Sequence, residues 1–332
     1  MNDKNLLGPW VRRFLLEYLV GERNLARNTQ ASYRDTLTML LPFASKCAGV
    51  AIDKMNVIDI SPAIVRQFLN HLERDRHCTG VTRNQRLGTI HSLARFIGMR
   101  SPVHLSWCTE VRLVPFKKTD KTLITYLEKA EMDELLRQPD RNTMLGFRDY
   151  VLLLFLYNSG ARADEVARLT IGHLHLDSPP SVRIHGKGNK IRMCPLWPMM
   201  IPLLGKLVAD RGADQVVFLG RANKPMTRFG IHRLVTQYAA MASETMPSML
   251  AKRVSPHNIR HTTAVHLLRG GVDINTIRAW LGHVSLETTN IYAEVDLEMK
   301  ARALASVEVS GLPPEPLRQR TLPSLMTFLR GI

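Results

Sequence analysis

Only four of the 332 residues are cysteines, and no two stand at Cys-x-x-Cys spacing. Cys47, Cys78, Cys108 and Cys194 are scattered, which argues against a zinc ribbon or a dithiol redox motif. A secretory leader is also missing, because Met1-Asn2-Asp3-Lys4 lacks a basic start and a long apolar core. Reduced thiols in a cytoplasmic protein are therefore expected. Long apolar runs are absent: the longest, Tyr150 to Tyr157, is far too short for a bilayer and reads as a buried helix. No membrane partner is expected. Neither a Walker loop nor a clustered Asp/Glu set for a two-metal nuclease occurs, so no cofactor and no metal is expected. Internal repeats are lacking as well. Acidic residues are in the minority, 29 Asp+Glu against 45 Lys+Arg, a formal net charge of +16. That balance favours a polyanionic partner, nucleic acid first.

The chain is longer than one typical domain, and its 45% apolar content supports a real core. Residues 1–105 read as four amphipathic helices. The first runs from Trp10 to Leu19. In the second, Tyr33, Leu37, Leu40 and Leu41 follow a candidate N-cap, Asn28. In the third, Ile64, Val65, Phe68, Leu69 and Leu72 follow Ser61-Pro62, a cap with a first-turn proline. Leu87, Ile90, Leu93, Ala94 and Ile97 mark the fourth. Their polar faces are arginine-rich, and Arg27, Arg34, Arg83 and Arg86 are candidate phosphate contacts. Any one of them taken alone reads more readily as part of a solvated face; their number on one small helical unit points to phosphate. Residues 106–125 show no clear period and read as a basic linker with Lys117 and Lys118 as further candidates. Residues 126–310 form a second domain and 311–332 a proline-marked tail, a possible partner-contacting segment.

In the second domain helical spacing gives way to two short extended runs, Val182-Arg183-Ile184-His185 and Lys190-Ile191-Arg192-Met193. They flank Gly186-Lys187-Gly188-Asn189 and predict a β-hairpin. Helices return at about 198–209 and 227–242. Ser255-Pro256 opens another, and Asp273 caps a short one ended by Gly282.

Cleaving a phosphodiester with a protein hydroxyl requires a nucleophile, cations on the nonbridging oxygens, and groups that move two protons. Arginine suits the second task, since its planar fork grips two phosphate oxygens and stays charged. Arg162 follows Gly160 at an expected helix start, where free backbone N–H groups also favour an anion. His257, Arg260 and His261 share the first turns of the Ser255-Pro256 helix. His257 and His261 stand at a zinc-pair spacing, but no third ligand accompanies them. A tyrosine such as Tyr292, near a helix end, is by itself usually a core residue.

In order and spacing these residues resemble the tyrosine recombinase, or phage integrase, family. The carrying motifs are Gly160-x-Arg162-x-x-Glu165, a hairpin-turn lysine, His257-x-x-Arg260-His261, Leu281-Gly282-His283, and Tyr292 nine residues later. The resemblance spans roughly residues 10–300 and implies a mainly α fold with a small β-hairpin or sheet. It implies an N-terminal four-helix core-binding (SAM-like) domain and an α+β catalytic domain. It further implies that Tyr292 attacks DNA phosphorus to leave a 3′-phosphotyrosine, that Arg162, Arg260 and His283 hold the phosphate, and that Lys187 protonates the leaving 5′-oxygen. His257 would help move the tyrosine proton, with Glu165 and His261 in support. Lys190 is a second candidate for the hairpin lysine; Lys187, flanked by glycines, is preferred. Double-stranded DNA and further copies of the chain, as a tetramer on two sites, are the implied partners, with other recombinases possible. Two other readings stay open: a type IB topoisomerase, and a DNA-binding accessory protein without catalysis. The motifs do not separate phage, transposon, integron and Xer-type roles.

Overall fold

The computed structural model describes residues 5–119, 124–186 and 190–282. The chain divides into two compact units, Met1–Thr122 and Leu123–Ile332. It is mainly helical, with one small antiparallel sheet among the described residues.

In the first unit α1 (Leu7–Arg13) continues as a π-helical segment, Phe14–Glu22. It is followed by α2 (Arg27–Ala48), α3 (Pro62–Arg74), α4 (Gly80–Arg100) and α5 (Leu105–Arg112). Helix α3 starts as expected, with Ser61 Oγ accepting from the Ile64 N–H at 3.3 Å and Pro62 in the first turn. Helix α2 does not. Its N-cap is Ala26, which offers no side-chain cap, and Asn28 lies inside the first turn. The apolar periods point inward: Leu37 and Leu40, Val65, Phe68, Leu69 and Leu72, and Leu87, Ile90, Leu93 and Ile97 are all buried. Aromatic rings fill the remaining space, Phe14 lying 5.4 Å and Tyr18 5.2 Å from Phe96.

The helical unit extends beyond residue 105, where a linker was expected. Trp107, Cys108 and Val111 of α5 are buried in the same core, and Trp107 Nε1 donates to the Ile60 carbonyl at 2.9 Å. Eight residues are too few for a convincing period, so the apolar positions were masked by the basic residues that follow.

The second unit is built on α7 (Met144–Ser159), in which Val151 to Leu156 are at most 3% exposed. A helix apolar on every side must be enclosed on every side. Around it lie α6 (Lys129–Arg137), α9 (Met200–Val208), α10 (Arg228–Thr245) and α11 (Pro256–Arg269). The sheet comprises β1 (Leu174–His175), β2 (Ser181–His185) and β3 (Ile191–Pro195) in that order. The hairpin register pairs Val182 with Cys194 and Ile184 with Arg192. Two short helices, α8 (Ala163–Ala167) and α12 (Ile274–Leu281), are also among the described elements of this unit.

Two glycines of α4 make the packing testable. A Cβ at Gly98 would meet Cys108 Cβ at 2.6 Å and its Sγ at 2.7 Å, whereas one at Gly88 would meet nothing within 4 Å. Gly98→Ala is expected to lower stability by about 1–2 kcal/mol despite the gain in helix propensity, and Gly88→Ala to raise it by about 0.5–1 kcal/mol. Urea unfolding followed by tryptophan fluorescence reads both signs; equal shifts in the two variants would refute the close α4–α5 contact.

Candidate active site

Helix α7 ends at Gly160, which adopts φ +58°, a left-handed conformation that favours glycine. A Cβ there would also lie 2.4 Å from Leu281 Cδ2. Glycine at this position therefore both reverses the chain and lets the end of α12 pack against it. Two residues on, Arg162 is the N-cap of α8. Its backbone N–H donates to Glu165 Oε2 at 2.9 Å and its Nη1 to Oε1 at 2.7 Å. Glu165 is thus clamped at both oxygens. Its side chain is 3% exposed, while that of Arg162 is 40% exposed. Burial alone would raise the Glu165 pKa, but the hydrogen bonds and charges of Arg192 and Arg162 outweigh it and hold the carboxyl below its ordinary value.

Helix α11 brings the second cationic group. Ser255 caps it and Pro256 opens it, which sets His257, Arg260 and His261 in the first two turns. Arg260 is 2% exposed. Its Nη1 donates to the Gly160 carbonyl at 2.7 Å and its Nη2 to the Leu281 carbonyl at 2.6 Å. The rings of His257 and His261 meet edge to face at 4.2 Å. Both imidazoles resist protonation. Burial and the charges of Arg260 and Arg162 lower the His257 pKa, and burial, His257 and Arg260 push His261 down to about 4.

Arg162, His257 and Arg260 line one open cavity of about 400 Å³ with Asp164, Arg228, Phe229, His232 and Ser255. Three arginines against one aspartate leave a formal +2 among these described residues. A concave, cationic site with forked donors and the neutral imidazole of His257 suits a phosphodiester and the transfer of a proton. Among the described residues no group of three His, Cys, Asp or Glu could hold a metal ion.

The structure therefore brings together Arg162, Glu165, His257, Arg260 and His261. Lys187, His283 and Tyr292 lie outside the described residues. The flanks of the first two are visible. Gly186 N–H donates to the Lys190 carbonyl at 2.7 Å, closing the base of the hairpin turn, and a Cβ at Gly186 would lie 3.4 Å from Glu165 Oε1. Gly282, immediately before His283, turns the chain with φ +66°.

Sequence reasoning missed Arg192. It is buried on β3, donating from Nη2 to Glu165 Oε2 at 2.8 Å and from Nε to the Trp280 carbonyl at 2.9 Å. A signal existed. Directly paired residues share a sheet face, so once Val182 and Ile184 face inward their partners Cys194 and Arg192 must do the same. Ile191 and Met193 are accordingly 57% and 50% exposed.

The proposed phosphate-contacting residues of the first unit divide. Arg27 and Lys118 are exposed, and Arg34 pairs with its neighbour Asp35 at 2.9 Å. Arg83 donates to the Pro115 carbonyl at 3.0 Å in an exposed contact, and Arg86 to Thr36 Oγ1 at 2.9 Å in a part-buried one. Lys117 pairs with Glu73 at 2.7 Å. A polar cleft of about 350 Å³ lies between α2 and α4, lined by Asn28, Thr29, Ser32, Tyr33 and Gln85 among others.

Comparison with known proteins agrees with this layout. The phage integrase family profile matches residues 125–299, and the phage integrase N-terminal SAM-like domain matches residues 12–100. The chain belongs to the phage integrase family. It is a tyrosine-type site-specific recombinase by family membership. The putative integrase/recombinase y4rC of Sinorhizobium fredii is 33% identical over 98% of both chains. Tyrosine recombinase XerD of Chlorobaculum tepidum is 29% identical, covering 87% of this chain and 93% of that one. Among solved structures, XerH site-specific recombinase bound to a palindromic difH substrate aligns with a TM-score of 0.65 at 19% identity, over 86% of this chain and 81% of that one. At that identity the likeness speaks for the fold.

The depressed histidines give this family member a pH signature. Below pH 6.5 the unfolded chain protonates His261, while the folded chain keeps it neutral to about 4, so stability falls as pH drops through that window. His261→Gln is expected to make the urea midpoint less sensitive to pH between ~pH 7 and ~pH 4.5. An unchanged slope would show that the imidazole protonates in place.

Proposed function

We propose that this recombinase cuts and rejoins double-stranded DNA through a 3′-phosphotyrosyl intermediate on Tyr292, to integrate, excise or transpose a mobile element. The convergence of Arg162, His257 and Arg260 on one cationic cavity, from segments about a hundred residues apart in sequence, carries the reading. Arg162 and Arg260 neutralise the nonbridging oxygens of the scissile phosphate, with His283 as a further donor. Neutral His257 accepts the Tyr292 proton as its oxygen bonds to phosphorus. The bond to the 5′-oxygen breaks, and Lys187 supplies the proton that this oxygen needs. A lysine with an ordinary pKa near 10.4 serves as the acid once phosphate fixes its position. Since the phosphotyrosine retains the phosphodiester's energy, rejoining needs no nucleotide.

Strand exchange between two sites requires one active subunit per strand cut, so a tetramer on two duplexes is the proposed assembly. The full-length similarity to a putative integrase/recombinase supports a mobile-element role over supercoil relaxation. The polar α2–α4 cleft offers hydroxyl and amide groups for DNA contacts by the first unit.

A nicked duplex that loses its 5′ fragment traps the intermediate. Wild type is expected to become covalently attached to the 3′ end, and Tyr292→Phe to shift the same DNA without attachment. Arg162→Gln should slow attachment by roughly 10²- to 10³-fold. The loss in Lys187→Ala should be relieved when the bridging 5′-oxygen is replaced by sulfur, which departs without a proton. Attachment by Tyr292→Phe would refute the nucleophile, and rescue of Lys190→Ala instead of Lys187→Ala would reassign the acid.

A further inference from the structure

Arg192 is not among the residues that line the cavity, yet its two hydrogen-bond partners, Glu165 and Trp280, tie it to the residue that holds Arg162 and to the end of α12. From the middle of β3 its Nη2 reaches Glu165 Oε2 at 2.8 Å, and its Nε reaches the Trp280 carbonyl at 2.9 Å. Its side chain is 8% exposed and that of Glu165 is 3% exposed. Arg192 Cδ also lies 3.1 Å from the position a Cβ would take at Gly282, and its Nη1 lies 3.6 Å from that of Gly186. One guanidinium therefore meets the root of the hairpin turn, the carboxylate that orients Arg162, and the last turn of α12.

We propose that Arg192 is a positioning residue for DNA cleavage, acting through Glu165 to fix the Arg162 fork at the scissile phosphate. Glu165 receives both the backbone N–H and Nη1 of Arg162. Arg162 is the more exposed partner of that pair, so its fork goes where the carboxylate sends it. The carboxylate can remain charged in a buried place only with cations against it. Arg192 supplies the buried one, and Arg162 is left with donors facing the cavity. Lysine cannot replace this arrangement, because one ammonium does not span the carboxylate and the α12 carbonyl as a rigid fork does. The backbone carbonyl of Trp280 gives Arg192 a fixed anchor, since the indole Nε1 of the same residue donates to the Asn158 carbonyl at 3.2 Å.

This assignment rests on the recombinase reading, and its test separates the two. The probe is a duplex site recovered from genomic DNA by Tyr292-linked capture, presented nicked, with enzyme in excess. Arg192→Gln is expected to lower the single-turnover rate of covalent attachment roughly 10- to 100-fold. DNA affinity should stay within about twofold, because phosphate contacts spread along the duplex supply it. Arg192→Lys should fall between the two. In a Glu165→Gln background, Arg192→Gln should cost less than about twofold more, since a residue acting through Glu165 has nothing left to act through. Should Arg192→Gln fail to fold, Arg192→Lys carries the same cycle. An undiminished rate, or the same loss in both backgrounds, would overturn the proposal. Titration with inorganic phosphate reports the pocket without cleavage, and Arg192→Gln should weaken that binding several-fold. Weakened phosphate binding without any covalent DNA adduct in wild type would leave Arg192 fixing the Arg162 fork at a bound phosphate but sink the recombinase reading, and with it the role in DNA cleavage.

Discussion

The buried guanidinium of Arg260 is the interaction on which the catalytic unit's site depends. It bonds the carbonyl that ends α7 and the carbonyl that ends α12, at Gly160 and Leu281. Those carbonyls lie at helix C-termini, where backbone acceptors lack intrahelical partners and the dipole favours a cation. One side chain thus satisfies acceptors from two segments far apart in sequence. It also delivers a positive charge to the first turns of α11, beside His257 and His261. Glycine at 160 follows from the same geometry, because a side chain there would occupy the space of Leu281. The Gly-x-Arg and His-x-x-Arg motifs are therefore coupled parts of one packing arrangement as well as separate suppliers of cations.

Charge in this site is arranged by contrast. Glu165 is kept ionised by two arginines, while His257 and His261 are kept neutral by burial and by neighbouring cations. The environment that favours the carboxylate disfavours the imidazolium, as a positive potential must. Such a pocket attracts a phosphate and leaves a neutral nitrogen to take a proton. Both properties draw on the same guanidinium groups, with burial making the larger contribution to the neutrality of the imidazoles.

Much of this was legible in the sequence, for identifiable reasons. The buried α7 declared itself through an unbroken apolar run, α3 through period and cap, α4 through period, and α11 through its Ser255-Pro256 start. Hairpin strands were visible because glycines punctuated them. What was not legible depended on contacts made elsewhere. Helix α5 is short, and its burial is decided by Trp107 reaching Ile60. Asn28 looks like a cap, yet the helix begins one residue before it. Arg83 and Arg86 read as polar-face residues, and the bonds each makes to a neighbouring segment depend on how the segments pack. Arg192 escaped because its strand alone does not say which face is buried; the register with β2 does, pairing it with Ile184.

Arginines that bond backbone carbonyls also explain how a chain with a net charge of +16 can spend cations on its own fold and stay basic. Arg83, Arg86, Arg211 and Arg260 all bond backbone carbonyls. A carbonyl satisfies the donors without cancelling the charge, whereas a carboxylate such as Glu22 beside Arg100 cancels it. Arginine can do this because its five donors outnumber what a single partner requires and its charge persists at any working pH. Bracing and polyanion attraction are therefore compatible in the same side chain. A count of exposed cations underestimates the field that a nucleic acid would meet, and a count of surface arginines in the sequence overestimates the number that can touch phosphate.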